Sequence, residues 1–147
     1  MIHWKNTLAL GFLTITCLMN SSCNQEILLP ATQVPGEIQA YIDTHFKGQA
    51  ILHAIEDKDG LSKTYDVALE GNVKLEFNRK KEIIDIESPQ KLPDSVVPLK
   101  IREYIHSAFP NNTIVGWEIE GRGQQVNLDN HLSVEFSRKG DFIRIDD

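Results

Sequence analysis

The run Leu75-Glu76-Phe77-Asn78-Arg79-Lys80 returns as Val134-Glu135-Phe136-Ser137-Arg138-Lys139, an apolar, acidic, aromatic alternation that ends in a polar residue and two cations. Alternation at a period of two marks a strand with one buried face, and the polar and basic residues after it mark a turn. The same offset of 59 residues pairs Val67 with Val126, Leu69 with Leu128, Ile84 with Ile143 and Ile86 with Ile145. Upstream the offset widens to 63. It then pairs Leu29-Pro30 with Leu92-Pro93, Val34-Pro35 with Val97-Pro98, Ile38 with Ile101, Tyr41-Ile42 with Tyr104-Ile105 and Phe46 with Phe109. The lost residues fall between Glu56 and Tyr65, where Asp57-Lys58-Asp59-Gly60 shortens to Gly121-Arg122-Gly123. A turn is where two copies of one fold tolerate a change of length.

Each copy opens at helical spacing. Pro35 and Pro98 suit a first helical position, and Ile38, Tyr41, Ile42 and Phe46 then form an apolar stripe matched by Ile101, Tyr104, Ile105, Ala108 and Phe109. Lys47-Gly48 and Pro110-Asn111-Asn112 end these helices. Four alternating stretches follow, in the first copy Gln49 to Glu56, Lys63 to Glu70, Val73 to Phe77 and Ile84 to Ile86, joined by short polar links of the kind that connect antiparallel neighbours. The expected fold is therefore α+β, with two tandem repeats of a helix plus a four-stranded antiparallel meander and the helices on one face of a sheet of about eight strands. One copy of about 60 residues is marginal by itself, so the two are expected to share a core. The expected division is residues 1–23 a signal peptide, 24–28 a short tether, 29–88 the first repeat and 89–147 the second.

A formal charge of -6 excludes a nucleic-acid binder that works by phosphate neutralisation and a polybasic membrane-surface protein. Lys5 precedes the apolar run Leu8 to Met19, which is too short for a bilayer core that needs roughly 20 helical residues and fits an export signal. Both cysteines, Cys17 and Cys23, lie in this leader, so the body has no disulfide. Ser21-Ser22-Cys23 resembles the end of a bacterial lipoprotein signal, with Asn20 where such signals usually carry Leu. Lipidation of Cys23 is the expectation. Cleavage nearby with a free periplasmic product and lipidation at Cys17 stay open. Loss of Lys5 with the leader moves the formal charge from -6 to -7, so membrane contact is expected only through a lipid anchor on an exported periplasmic or outer-membrane protein.

The tandem Leu-Pro, the helix with Tyr-Ile and Phe, Tyr65-x-Val67-x-Leu69, and Leu75-Glu76-Phe77 with its basic turn resemble the PepSY-like, beta-lactamase-inhibitor-like proteins over residues 29 to 147. The second copy departs from that pattern, with Gln124-Gln125-Val126 where the first has Tyr65-Asp66-Val67. The resemblance implies a sheet with helices on one face, like the beta-lactamase inhibitor protein, whose exposed sheet face grips an enzyme. It also implies binding of a protein or peptide rather than catalysis. The family has no motif that marks a site, so no residue role is carried over.

The search for chemistry agrees with a non-enzyme. His45, His53, His106 and His131 form no i, i+4 pair, and Asp57-Lys58-Asp59-Gly60 lacks the ligands that complete a calcium loop, so no metal or cofactor is expected. No nucleophile elbow, phosphate loop or H-E-x-x-H occurs. Lys74, Glu76, Asp85, Glu135 and Arg144 alternate with apolar neighbours and read as a solvated sheet face; of these Lys74, Glu76, Glu135 and Arg144 are the candidates for partner contact. Trp117 aligns with Ala54, so the repeat does not demand its bulk. It fits either an exposed contact or a core filler. The competing reading of the whole chain is an envelope structural or ligand-sensing protein without an enzyme target.

Overall fold

The structure, a computed structural model, describes residues 24–146. The leader and Cys23 lie outside those residues. The chain begins with β1 (Asn24–Leu29) and α1 (Gly36–His45), then runs through β2 (Ile51–Asp59), β3 (Ser62–Leu69), β4 (Val73–Phe77) and β5 (Ile83–Glu87). After α2 (Leu99–Ala108) come β6 (Ile114–Glu118), β7 (Gly123–Leu128), β8 (Ser133–Ser137) and β9 (Phe142–Asp146). All nine strands form one antiparallel sheet in chain order. No described helix is long and apolar enough to cross a membrane.

The segment expected to be a tether, residues 24–28, is instead part of a strand, β1, which adds one to the eight expected. β1 pairs with β2 along its whole length, Asn24 opposite Asp59 and Leu29 opposite Ala54. Its Ile27-Leu28-Leu29 run lacks the alternation of the other strands, and only the partner shows what it is. β2 also runs on to Asp59, and Gly60 (φ 56) with Leu61 makes the turn, so Asp57 and Asp59 belong to a strand rather than to a loop. Pro35 and Pro98 stand one place before their helices with extended ψ, and their carbonyls accept from Gln39 and Arg102.

One row of opposed residues crosses the sheet from Leu29 through Ala54, Val67, Leu75, Ile86, Trp117, Val126 and Val134 to Ile145. All but the two ends of this row are buried, in one cluster with Ile38 and Ile42 of α1 and Ile101 and Ile105 of α2. This is the covered face. Ala108, which the helical spacing had placed in the stripe, is exposed.

The halves match in detail. Tyr41 meets Phe77 edge-on at 5.4 Å, and Tyr104 meets Phe136 at 5.5 Å. Bulges fall at Leu52 and Val115, and again at Ile84 and Ile143. Positive φ occurs at Asn72 and His131, and at Lys81 and Gly140. Asn78 Oδ1 accepts from the backbone of Lys80 and Glu82, as Ser137 Oγ does from Lys139 and Asp141. Bulges and left-handed turns reset register and twist, so their repetition fixes both meanders to the same geometry.

Candidate binding face

The side of the sheet away from the helices carries the second row of opposed residues: Ile55, Asp66, Glu76, Asp85, Glu118, Gln125, Glu135 and Arg144. Four consecutive strands, β3 to β6, place a carboxylate here, each directly opposite the next. Side chains so opposed stand about 4.5–5.5 Å apart at Cβ, and like charges there destabilise a sheet. Asp85 is pushed up to about 6, first by loss of hydration and then by Glu87, Glu118 and Glu76. Glu76 is raised by loss of hydration, then by Asp66 and Asp57. Asp66 and Glu118 are raised as well, each first by lost hydration, then by Asp57 and Glu26 around Asp66 and by Glu120 and Glu87 around Glu118. A shallow depression of about 190 Å³ opens among His53, Asp66, Lys74, Glu76, Asp85 and Glu87.

Beyond Glu118 the row carries no net charge. Arg144 pairs with Glu135, whose carboxyl it holds below the usual range, and reaches Asp146 at 3.3 Å. Gln125 donates to Glu118 at 3.0 Å. Lys74, beside the acidic row, is held at 2.9 Å by Glu87. Lys74, Glu76, Glu135 and Arg144 thus share one face, as their alternation requires, although the first pair lies in the acidic half and the second in the neutralised half. Sequence reading passed over Asp66 and Glu118; their alignment with Glu76 and Asp85 depends on strand register.

Trp117 is on the other side. It is 6% exposed, within the covered row, and its indole N–H donates to Gln124 Oε1 at 3.0 Å. The exposed-contact reading therefore gives way to core. The physical reason lies in two departures between the copies: where the first half has Ala54 and Tyr65, the second has Trp117 and Gln124, so the bulk has moved from one strand to its neighbour.

The histidines stay apart. His45 shares a 2.8 Å hydrogen bond with Ser95 and lies 4.4 Å from the Tyr41 ring, whereas His53, His106 and His131 are exposed. Among the described residues no group of three or more His, Cys, Asp or Glu is placed to hold a metal ion. A larger hollow of about 440 Å³ lies beside α2, near Arg102, Ile105 and Ile114. It recurs in the first half near Gln39, Ile42 and Ile51 at about 400 Å³, which makes it a product of the repeated architecture.

The family described as "Putative beta-lactamase-inhibitor-like, PepSY-like" matches twice, over residues 19–85 and 63–144. The chain belongs to this PepSY-like family. The double match agrees with the tandem repeat, the two stretches overlapping over residues 63–85. No curated protein matches the chain. Among solved structures, a "putative periplasmic protein" of Bacteroides vulgatus is 27% identical with a TM-score of 0.78, over 83% of this chain and 97% of that one. A "putative calcium-regulated periplasmic protein" of Bacteroides thetaiotaomicron is 25% identical with the same TM-score and coverage. A second Bacteroides vulgatus protein, "of unknown function", is 25% identical over 84% of this chain and all of its own, at TM-score 0.78. The calcium in one description has no matching ligand set among the described residues here, where no group of three or more His, Cys, Asp or Glu is placed to hold an ion.

Proposed function

We propose that the chain is an exported, non-catalytic PepSY-like binding module that holds a protein or peptide in the cell envelope on the open face of its sheet. In this reading the first 23 residues are the export signal, Cys23 carries the lipid, residues 29–88 and 89–147 are the two working repeats, and the captured partner presents Lys or Arg side chains. The observation that carries it is the acidic row. Asp66, Glu76, Asp85 and Glu118 oppose one another without a cation between them, on a rigid surface that no described element covers. Such a row lowers stability, so it is explained by a partner that supplies the missing positive charge. The family's inhibitor-like description and the periplasmic description of the solved relatives support the same reading, and inhibition of a secreted enzyme is its sharpest form.

Residues 24–147 contain every described element, and a solved relative matches 83% of the chain over 97% of its own length, which makes this body the part to test. That body, the variant Asp66→Asn/Glu76→Gln/Asp85→Asn and a control with Glu37→Gln/Asp43→Asn/Glu103→Gln on the helices are each used to capture partners from envelope extract. A protein retained by the first and third and lost by the second supports the proposal, and a retained hydrolase is then assayed with the purified body for inhibition. Equal retention by all three, or none by any, removes the open face from the function.

A further inference from the structure

The internal repeat also shows what is missing at one end of the molecule. β9 is the copy of β5, residue for residue from Ile83/Phe142 to Glu87/Asp146. In the first half β6 pairs with the outer edge of β5, and Ile86 is 0% exposed beneath Trp117 and its neighbours. Among the described residues nothing pairs with the outer edge of β9. Phe142, Ile143 and Ile145 are consequently 41, 54 and 44% exposed, with Phe142 stacked at 4.9 Å on Tyr104. An apolar strand edge of this kind is a template for another strand.

We infer that this edge pairs with the same edge of a second copy, β9 against β9 in antiparallel register about Ile145. The occupant follows from the order Arg144-Ile145-Asp146. With Ile145 opposite its own copy, Arg144 of each protomer faces Asp146 of the other, and both charge pairs lie on the open face while the isoleucines meet on the covered one. The contact is self-complementary about a two-fold axis, as a closed dimer requires. β1 is the rival edge. It offers Glu26 and no cation, so only one ion pair could form there, and its pairing with β9 would propagate without closing. A single strand edge belongs to the small interfaces, below about 1,200 Å², so the dimer forms at micromolar concentration or above. This proposal concerns a different surface from the acidic row and does not depend on it.

The body of residues 24–147 has no cysteine, which allows a direct test. Directly opposed residues of an antiparallel pair have Cα atoms about 4.5–5.5 Å apart, within disulfide reach. Ile145→Cys in oxidised glutathione should give a disulfide-linked dimer much faster than Leu61→Cys, which is exposed in the β2–β3 turn. In sedimentation, Arg144→Asp should raise the dimer dissociation constant on the order of tenfold, because both pairs become repulsive. Arg144→Asp/Asp146→Arg should restore it. A monomer up to about 1 mM, equal cross-linking of the two cysteine variants, no rescue by the charge swap, or open-ended polymers would each overturn the proposal.

Discussion

Trp117 fits core or contact by its sequence alone, and its burial decides for core. Its excess bulk over Ala54 was visible in the repeat, but its face follows from the register with Ile86 and Val126. Its N–H ends on Gln124, whose amide in turn donates to the carbonyls of Ser137 and Arg138. Trp117→Ala should therefore lose about 3–5 kcal/mol in denaturant unfolding through the cavity it leaves. Adding Gln124→Tyr rebuilds the first half's Ala-Tyr pair, and a double-mutant cycle should return about 1–2 kcal/mol of that loss. Strict additivity would show that the bulk was not exchanged between the strands. Asp85 gives the second test at this scale. A carboxyl raised from 3.8 to about 6 on folding binds more protons in the native state than in the unfolded one between those values. Stability should then fall as pH rises from about 4 to about 6, where the native carboxyl gives up its proton, and level off above that. In Asp85→Asn the thermal midpoint should be higher at pH 7 and this part of the pH slope should flatten.

At the level of strands and helices, periodicity carried most of the fold, because alternation and the 3.6 spacing are local properties of the chain. β1 escaped for the converse reason: it is defined by its pairing with β2 across an intervening helix. The extent of β2 escaped too, since Asp57-Lys58-Asp59 has turn-like composition and only the register with Thr64, Lys63 and Ser62 makes it strand. Gly123 is a similar case. Read as part of a connection, it is the first residue of β7, and a Cβ there would stand 2.6 Å from the carbonyl oxygen of Phe136. Backbone cannot yield as a side-chain tip does. Gly123→Ala should push β7 away from the end of β8 and cost about 1–3 kcal/mol by chemical denaturation. Gly36→Ala, which meets nothing within 4 Å, should show no such loss.

For the whole molecule, the two faces of one sheet divide the work between stability and contact. The candidate face was legible as a set of alternating charges; which half of it is unpaired was not. That depends on Asp66, Glu76, Asp85 and Glu118 falling into one row across four strands, with Arg144 too far along the same row to reach them. If repulsion in this row is a standing cost of the fold, screening it should stabilise the protein. Raising salt from about 0.02 to 0.5 M shortens the screening length from roughly 20 Å to under 5 Å and should raise the thermal midpoint at pH 7. The variant Asp66→Asn/Glu76→Gln/Asp85→Asn should start from a higher midpoint and respond less, since most of the repulsion is already gone. A protein governed by its surface ion pairs, Lys74 with Glu87 and Arg144 with Glu135, would behave oppositely and weaken with salt. The sign of the salt effect therefore decides whether the acidic row or the ion pairs around it dominate the electrostatics of the open face. Only in the first case does the face hold a charge deficit that a basic partner would fill.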